Sequence, residues 1–301
     1  MAQRVFVTGG TGFVGKSVVR ALLAQGFLVR LLVRPGSEHD LKGFESIDRV
    51  PGDVMKPDGL APSVGGCSAL VNLVGIIEEQ RRRGVTFERL HVQATRNMVA
   101  LARAVGIKRY VQMSALGTRP DARARYHRTK WAAEEAVRAS DLDWTIFRPS
   151  IIFGRGDAFV SMLARMIKRV PIVPVLGSGR YRLQPIPVEQ VAGGFGRGLR
   201  GAGGGRQTYD GGGAQPGASV DLLDEIGHAL GRARVRKMHV PLGPVKVMTR
   251  ALDWLPFYPV STDQLLMLEE ESVGGPSRFF AELGIQPGPL AVGLHRMLGP
   301  S

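Results

Sequence analysis

Val5-Phe6-Val7-Thr8-Gly9-Gly10-Thr11-Gly12-Phe13-Val14-Gly15 stands near the start of the chain. An apolar run meets a glycine-dense turn, and a helix-like pattern follows at once. This order reads as a first β-strand, a tight phosphate-binding turn and a helix N-terminus. The three spaced glycines have different tasks. Gly9 lets the chain leave the strand sharply, Gly12 removes the side chain that would hold a pyrophosphate off the backbone N–H groups, and Gly15 lets the helix lie close on the sheet. Thr11, Phe13 and Val14 share the turn and count with the glycines as cofactor-binding residues. The free N–H groups and the positive helix end attract phosphate. The stretch therefore predicts an α/β fold: a Rossmann-type, doubly wound parallel sheet that binds a dinucleotide.

The next strand bears on which dinucleotide. Phe27 to Arg34 reads as a strand, closed by Pro35-Gly36-Ser37. Sites for NAD usually put an acid here, about 20 residues past the glycines, to hold the ribose 2′-hydroxyl. This chain has Arg34, 19 residues past Gly15. An acid repels a 2′-phosphate, whereas a guanidinium holds it through paired hydrogen bonds. The expected cofactor is NADP(H) rather than NAD(H).

Composition bounds the rest. The chain has 301 residues, is 44% hydrophobic and 22% charged, and so can bury a real core. One cysteine, Cys67, excludes an intramolecular disulfide and a multi-cysteine metal site. The six histidines show no close ligand spacing, so no metal is expected. The longest apolar run, Ala69 to Ile77, is too short to span a bilayer, and no signal peptide fits before Val5. A net charge of +14 favours anionic partners. The arginines are dispersed and no nucleic-acid-binding signature is present, so nucleic acid is not expected as a partner.

Strands and helices alternate through the first half. Strand patterns at Ile47–Val50, Ala69–Val74, Arg109–Ser114 and Trp144–Pro149 are separated by helical patterns at Phe87–Val105 and Tyr126–Ala139. That alternation implies a parallel sheet covered on both faces, with ligands at the strand C-termini. Beyond Gly154 the pattern loosens, and Val170 to Pro187 is rich in proline and glycine. The expected organisation is a dinucleotide domain over 1–155, joined by parts of 185–215, and a smaller α/β lobe over 156–301, in one unit. Glu78 to Arg83 reads as a solvated charged loop, with gating of an anionic substrate or docking of a partner as the other reading. Pro244 to Leu255 carries an apolar stripe beside Trp254 and Pro256-Phe257-Tyr258, read as core or as an interfacial helix.

Tyr126-His127-Arg128-Thr129-Lys130 puts Tyr126 and Lys130 on one helix face. A phenol titrates near 10, and a nearby ammonium is expected to lower it. Lys130 can also reach a nicotinamide ribose. Ser114 ends the preceding strand, where its hydroxyl can hold a substrate carbonyl. Together Tyr126, Lys130 and Ser114 suit hydride transfer with general acid–base help.

Thr8-Gly9-x-x-Gly12-x-x-Gly15 followed by Tyr126-x-x-x-Lys130 resembles the short-chain dehydrogenase/reductase superfamily, in its extended and atypical branches. Gly52-Asp53-Val54 matches the adenine-contacting turn of that family. Asn72 to Gly75, with Val74, matches its cofactor-lining strand end. Arg148 to Gly154, with Pro149, matches the segment that runs past the nicotinamide. Several stretches, among them Val71–Ile77 and Thr129–Gly154, are similar to the nucleotide-binding accessory subunit of respiratory complex I and its bacterial relatives. The likeness is strong over residues 3 to 155 and continues to about 260.

The resemblance implies an NADP(H)-dependent oxidoreductase on an unidentified carbonyl or quinone-type substrate. Two alternatives stay open. One is a non-catalytic NADPH-binding subunit or assembly factor of a respiratory or quinone-related membrane complex. The other is a nucleotide-sugar epimerase or dehydratase, which Arg34 disfavours. The expected location is cytoplasmic, with attachment to the inner face of a membrane, or to a membrane complex, as the further reading.

Overall fold

The computed structural model describes residues 2–41, 43–44, 47–201, 204–252 and 260–299. Seven parallel strands form the main sheet: β1 Arg4–Thr8, β2 Leu28–Val33, β3 Asp48–Pro51, β4 Ala69–Asn72, β5 Arg109–Met113, β6 Asp143–Pro149 and an edge strand Gln207–Gly211. Their spatial order is Gln207–Gly211, β6, β5, β4, β1, β2, β3. The order reverses between β4 and β1, which pair from Val5↔Ala69 to Thr8↔Asn72. A crevice opens outside the strand ends at such a reversal, and ligands of open α/β sheets bind there.

The strands lie where they do because both faces are covered. Val5, Phe6 and Val7 are all fully buried in β1, without the alternation of a half-exposed strand. On one face the helices Phe13–Ala24 and Val188–Leu199 bring Val18, Leu22, Val191 and Phe195 onto Val5 and Val7. On the other, Ala94–Ala104 brings Met98 and Ala102 onto Phe6, Leu70 and Tyr110. The helix expected over Phe87–Val105 starts as a wider π-type turn, Glu88–Gln93. Such turns concentrate at functional sites.

The C-terminal segment closes the sheet edge. Ser277–Glu282 inserts Phe279 edge-to-face on Phe147 at 6.0 Å, and the Tyr209 hydroxyl donates to Glu282 at 2.8 Å. Gly194 and Gly198 make room for these rings. A Cβ on Gly194 would lie 3.0 Å from Phe279, and one on Gly198 would lie 2.9 Å from Phe147.

A second core joins Phe153, Val160, Ile167, Val173, Leu222, Ile226 and Leu294, drawn from the helices Phe159–Arg169, Ser219–Ala229 and Leu290–Leu298. The proline-rich stretch before residue 188 is more ordered than its composition suggests. Val173–Leu176 pairs in parallel with Lys237–Val240, and Arg182–Leu183 and Ile186–Pro187 are further short strands. Pro174 is tolerated because a two-stranded ribbon has only edges.

The helix read from Pro244 runs Leu242–Leu252. Trp254, Leu255 and Pro256-Phe257-Tyr258 lie outside the described residues. Among those described, no helix is long and apolar enough to cross a membrane.

Candidate active site

The glycine turn follows β1 at the reversal point. Gly9 has φ +74, and an added Cβ would come 2.8 Å from the Leu73 carbonyl carbon and 2.9 Å from the Val74 nitrogen. A Cβ on Gly15 would overlap the Gly9 carbonyl oxygen and lie 2.6 Å from the Gly10 Cα. The fold itself demands glycine at both positions. Gly12 differs. It caps the first helix in extended conformation with no side-chain cap, and an added Cβ would meet only the Gly9 oxygen, at 3.5 Å. The first-turn N–H groups lack intrahelical acceptors by construction. Bare donors facing open space fit a diphosphate.

The other cofactor candidates ring the same crevice. Thr11, Phe13 and Val14 are half-buried on the turn. A Cβ on Gly154 would lie 3.6 Å from the Phe13 ring, so Phe13 reaches from the turn to the segment after β6. Arg34 is exposed just past β2, and no acceptor pairs with its guanidinium among the described residues. The Asp53 carboxylate accepts from the Met55 nitrogen at 2.9 Å, and the Val54 carbonyl accepts from Asn97 at 2.8 Å, which shapes the turn after β3.

At the end of β4, buried Asn72 accepts from Thr8 at 2.8 Å and donates to Gln112 at 3.1 Å. It thereby ties β1, β4 and β5 together at their C-terminal ends. The Val74 nitrogen donates to the Asn72 side chain at 3.3 Å. Pro149 is buried at the end of β6, and its carbonyl accepts from the Leu116 nitrogen at 2.9 Å.

The helix Arg125–Arg138 carries both Tyr126 and Lys130. Tyr126 is 8% exposed, its ring edge-on to Phe87 at 5.8 Å, His91 at 5.3 Å and His127 at 5.3 Å. Its hydroxyl has no hydrogen-bond partner among the described residues, yet it is not among the buried unpartnered atoms. The oxygen therefore keeps some access to solvent. Lys130 is 2% exposed and donates to the Met113 carbonyl at 3.4 Å. A Cβ on Gly75 would lie 2.8 Å from its amine, so the ammonium sits against the exposed turn after β4. Ser114 follows β5, buried, with its hydroxyl 3.5 Å from that of Thr118.

The electrostatics differ from the expectation that Lys130 lowers the phenol. Burial pushes Tyr126 up to about 12 and Lys130 down to about 8. Desolvation penalises whichever form is charged, and here it acts on both groups. No hydrogen bond from the ammonium to the phenol offsets it. At neutral pH Tyr126 is protonated.

Several residues that the sequence did not single out hold this pair in place. His91, in the π-type turn, accepts from the Ile76 nitrogen at 3.2 Å, and its other ring nitrogen lies 2.9 Å from the Thr129 hydroxyl. Burial and the Lys130 charge hold it well below the usual histidine range, so it is neutral. Glu79 accepts from the Phe87 nitrogen and from Arg125, each at 2.9 Å. The charged loop Glu78–Arg83 is thus pinned to the Tyr126 helix rather than merely solvated. Fully buried Glu134 accepts from Arg148 at 2.8 and 2.5 Å and from Arg138, locking that helix to β6 one turn beyond Lys130.

A second helix, Thr262–Glu269, clamps the N-terminus of the Tyr126 helix. Asp263 accepts from the Arg125 nitrogen at 2.6 Å. Glu270 accepts from Arg119 at 2.9 Å, pairs with His127 at 3.0 Å and takes the Arg123 nitrogen. These partners lie some 140 residues apart in sequence, so no local spacing marks them beforehand. No group of three or more metal-ligating side chains occurs among the described residues.

A bare glycine turn at the reversal point, with a Tyr–Lys helix beside it, defines a Rossmann-type protein that binds a nicotinamide dinucleotide. Residues 9–157, about half of the chain, match a family model described as NAD(P)H-binding, and the chain is similar to reductases of short-chain dehydrogenase/reductase type. It is 35% identical over 188 residues to a ceramide reductase of Caulobacter vibrioides, covering 62% of this chain and 58% of that protein. It is 29% identical over 276 residues to the mitochondrial NADH dehydrogenase [ubiquinone] 1 alpha subcomplex subunit 9 of Arabidopsis thaliana, covering 88% and 67%. The match to the reductase thus spans little more than half of that protein. The fold is shared with a dTDP-glucose 4,6-dehydratase of Streptomyces venezuelae, at TM-score 0.76 and 20% identity over 98% of this chain and 96% of that one.

Proposed function

We propose that the protein is an NADP(H)-dependent oxidoreductase acting on a carbonyl or quinone-type substrate. The observation that carries this reading is the neutral Tyr126 phenol, held by burial, with its oxygen unbonded and Lys130 one helical turn away. A bound nicotinamide supplies the hydride in reduction. Tyr126 gives its proton to the substrate oxygen as charge develops there. Lys130 offsets the phenolate that remains and holds the ribose, and Ser114 donates to the same substrate oxygen. Arg34, exposed and without a partner among the described residues, supports a 2′-phosphate and hence NADP(H) over NAD(H).

A second reading is favoured by two features. The Tyr126 ring is enclosed on several sides, and the chain is similar along most of its length to a respiratory-complex subunit. A non-catalytic NADPH-binding subunit or assembly factor fits both facts. An epimerase or dehydratase on a nucleotide sugar is the weakest reading, because Arg34 stands where it would want an acid. A cytoplasmic location with attachment to a membrane surface accords with the +14 charge and with exposed Val247 and Met248, 73% and 51% accessible, on Leu242–Leu252.

Tyr126→Phe tests the mechanism, because it keeps the ring and deletes the transferable proton. Turnover of NADPH with a panel of carbonyls and quinones should fall by about 10²- to 10⁴-fold, with nucleotide affinity unchanged. Equal activity in the variant would refute the role of Tyr126. Lack of turnover across the whole panel in the wild type would favour the non-catalytic reading.

A further inference from the structure

We infer that the carbonyl site selects a substrate with an extended apolar body, a long-chain or lipid-like ketone or quinone, and that Met267 is the residue that sets this preference. The inference rests on the oxidoreductase reading for the place of the carbonyl and goes beyond it in naming the substrate class. Phe87, Ala115 and Tyr126 form a small buried cluster of their own, separate from the cores of sheet and lobe, and Ile76 and Met267 pack against it. The wall around the acid is therefore aromatic and aliphatic.

The polar side chains that flank the ring are already committed. His91 is held by Ile76 and Thr129, and His127 by Glu270. Among the described residues, the Tyr126 hydroxyl has no bonding partner and that of Ser114 has only the 3.5 Å contact to Thr118, a pair that suits one carbonyl oxygen better than a sugar bearing several hydroxyls. A sugar in this setting would leave its own polar groups unpaired, which is how such a site rejects it.

Met267 reaches the cluster from the helix Thr262–Glu269, which is fixed at both ends. Asp263 holds the Arg125 nitrogen at 2.6 Å, and Glu270 holds Arg119 at 2.9 Å and His127 at 3.0 Å. The backbone under Met267 is thus anchored while its side chain stays adaptable. An unbranched thioether can repack around chains of different shape. Phe87 and Ala115 supply the rigid part of the wall.

The test is calorimetric titration of the full protein in saturating NADP+, which reads binding without turnover. The probes are 2-butanone, 2-heptanone and 2-undecanone, with UDP-glucose as the polar comparison. Affinity should rise about four-fold per methylene until the chain leaves the apolar wall. Met267→Ser should weaken 2-undecanone at least ten-fold while 2-butanone changes less than two-fold, and Met267→Leu should keep the slope. Unchanged NADP+ affinity in both variants shows that they are folded.

A flat ketone series, tighter binding of UDP-glucose than of 2-undecanone, or an unaltered slope in Met267→Ser would overturn the inference. The underlying reading fails differently. A protein that binds long ketones in the expected series but reduces none loses the oxidoreductase reading alone. One that reduces ketones without regard to chain length loses this inference alone.

Discussion

Replacing Lys130 by methionine should make the protein more stable at neutral pH and less able to hold its dinucleotide. The ammonium is almost fully buried, and burial moves it from 10.5 down to about 8. Each unit corresponds to about 1.4 kcal/mol, so keeping this charge in the folded state costs about 3 kcal/mol well below pH 8. The sign follows from the direction of the shift. Between about 8 and 10.5 the unfolded chain holds the proton more firmly than the folded one, so wild-type stability rises with pH across that window.

Methionine has similar reach and no charge. The attraction of Glu134 is already contained in that net shift, so what methionine forfeits besides is the 3.4 Å bond to the Met113 carbonyl, about 1 kcal/mol. The expected net gain is about 2 kcal/mol at pH 7, shrinking by more than half at pH 9.5. Urea unfolding of the nucleotide-free protein at both pH values measures it, through the midpoint at constant slope. A variant no more stable than wild type at pH 7, or a gap that ignores pH, would refute the claim that desolvation dominates at Lys130.

Gly12→Ala should leave stability within about 1 kcal/mol, because its Cβ meets nothing closer than 3.5 Å, yet should weaken nucleotide binding more than ten-fold; thermal unfolding and fluorescence titration separate the two effects. Gly15→Ala should instead destabilise by about 2 kcal/mol or more, since its Cβ overlaps backbone that cannot yield. Arg34→Ala should weaken NADPH by roughly 10- to 150-fold and leave NADH unchanged, the loss of one charge-assisted phosphate contact of about 1.5–3 kcal/mol. Equal binding of the two nucleotides by the wild type would contradict the reading of Arg34.

The features that were legible beforehand are local. The turn from Gly9 to Gly15, the alternation of strand and helix, and the four-residue step from Tyr126 to Lys130 each lie within one or two elements. Chain geometry converts such spacings directly into a turn, a layer or a helix face. Corrections arose where a property depends on what surrounds a residue. The phenol of Tyr126 was expected to fall and instead rises, because helix spacing says that Lys130 is near but not that both groups are dry. Val170 to Pro187 shows no clear period through its prolines and glycines, yet Val173–Leu176 finds its partner in Lys237–Val240, over sixty residues on.

The sequence by itself determined a dinucleotide-binding parallel α/β protein and singled out Tyr126 as the candidate acid, because short-range periodicity and bare glycines leave few other folds. Only the tertiary structure decided how that acid is held and what faces it. Glu270 reaches His127 across 143 positions, Phe279 fills a gap beside Phe147 that two helix glycines open, and Met267 packs on the cluster of Phe87, Ala115 and Tyr126 from far along the chain. Contacts of such separation leave no periodic trace in the chain. They exist because apolar surface must be covered and buried carboxylates must be paired, and those demands are met only once the whole molecule is folded.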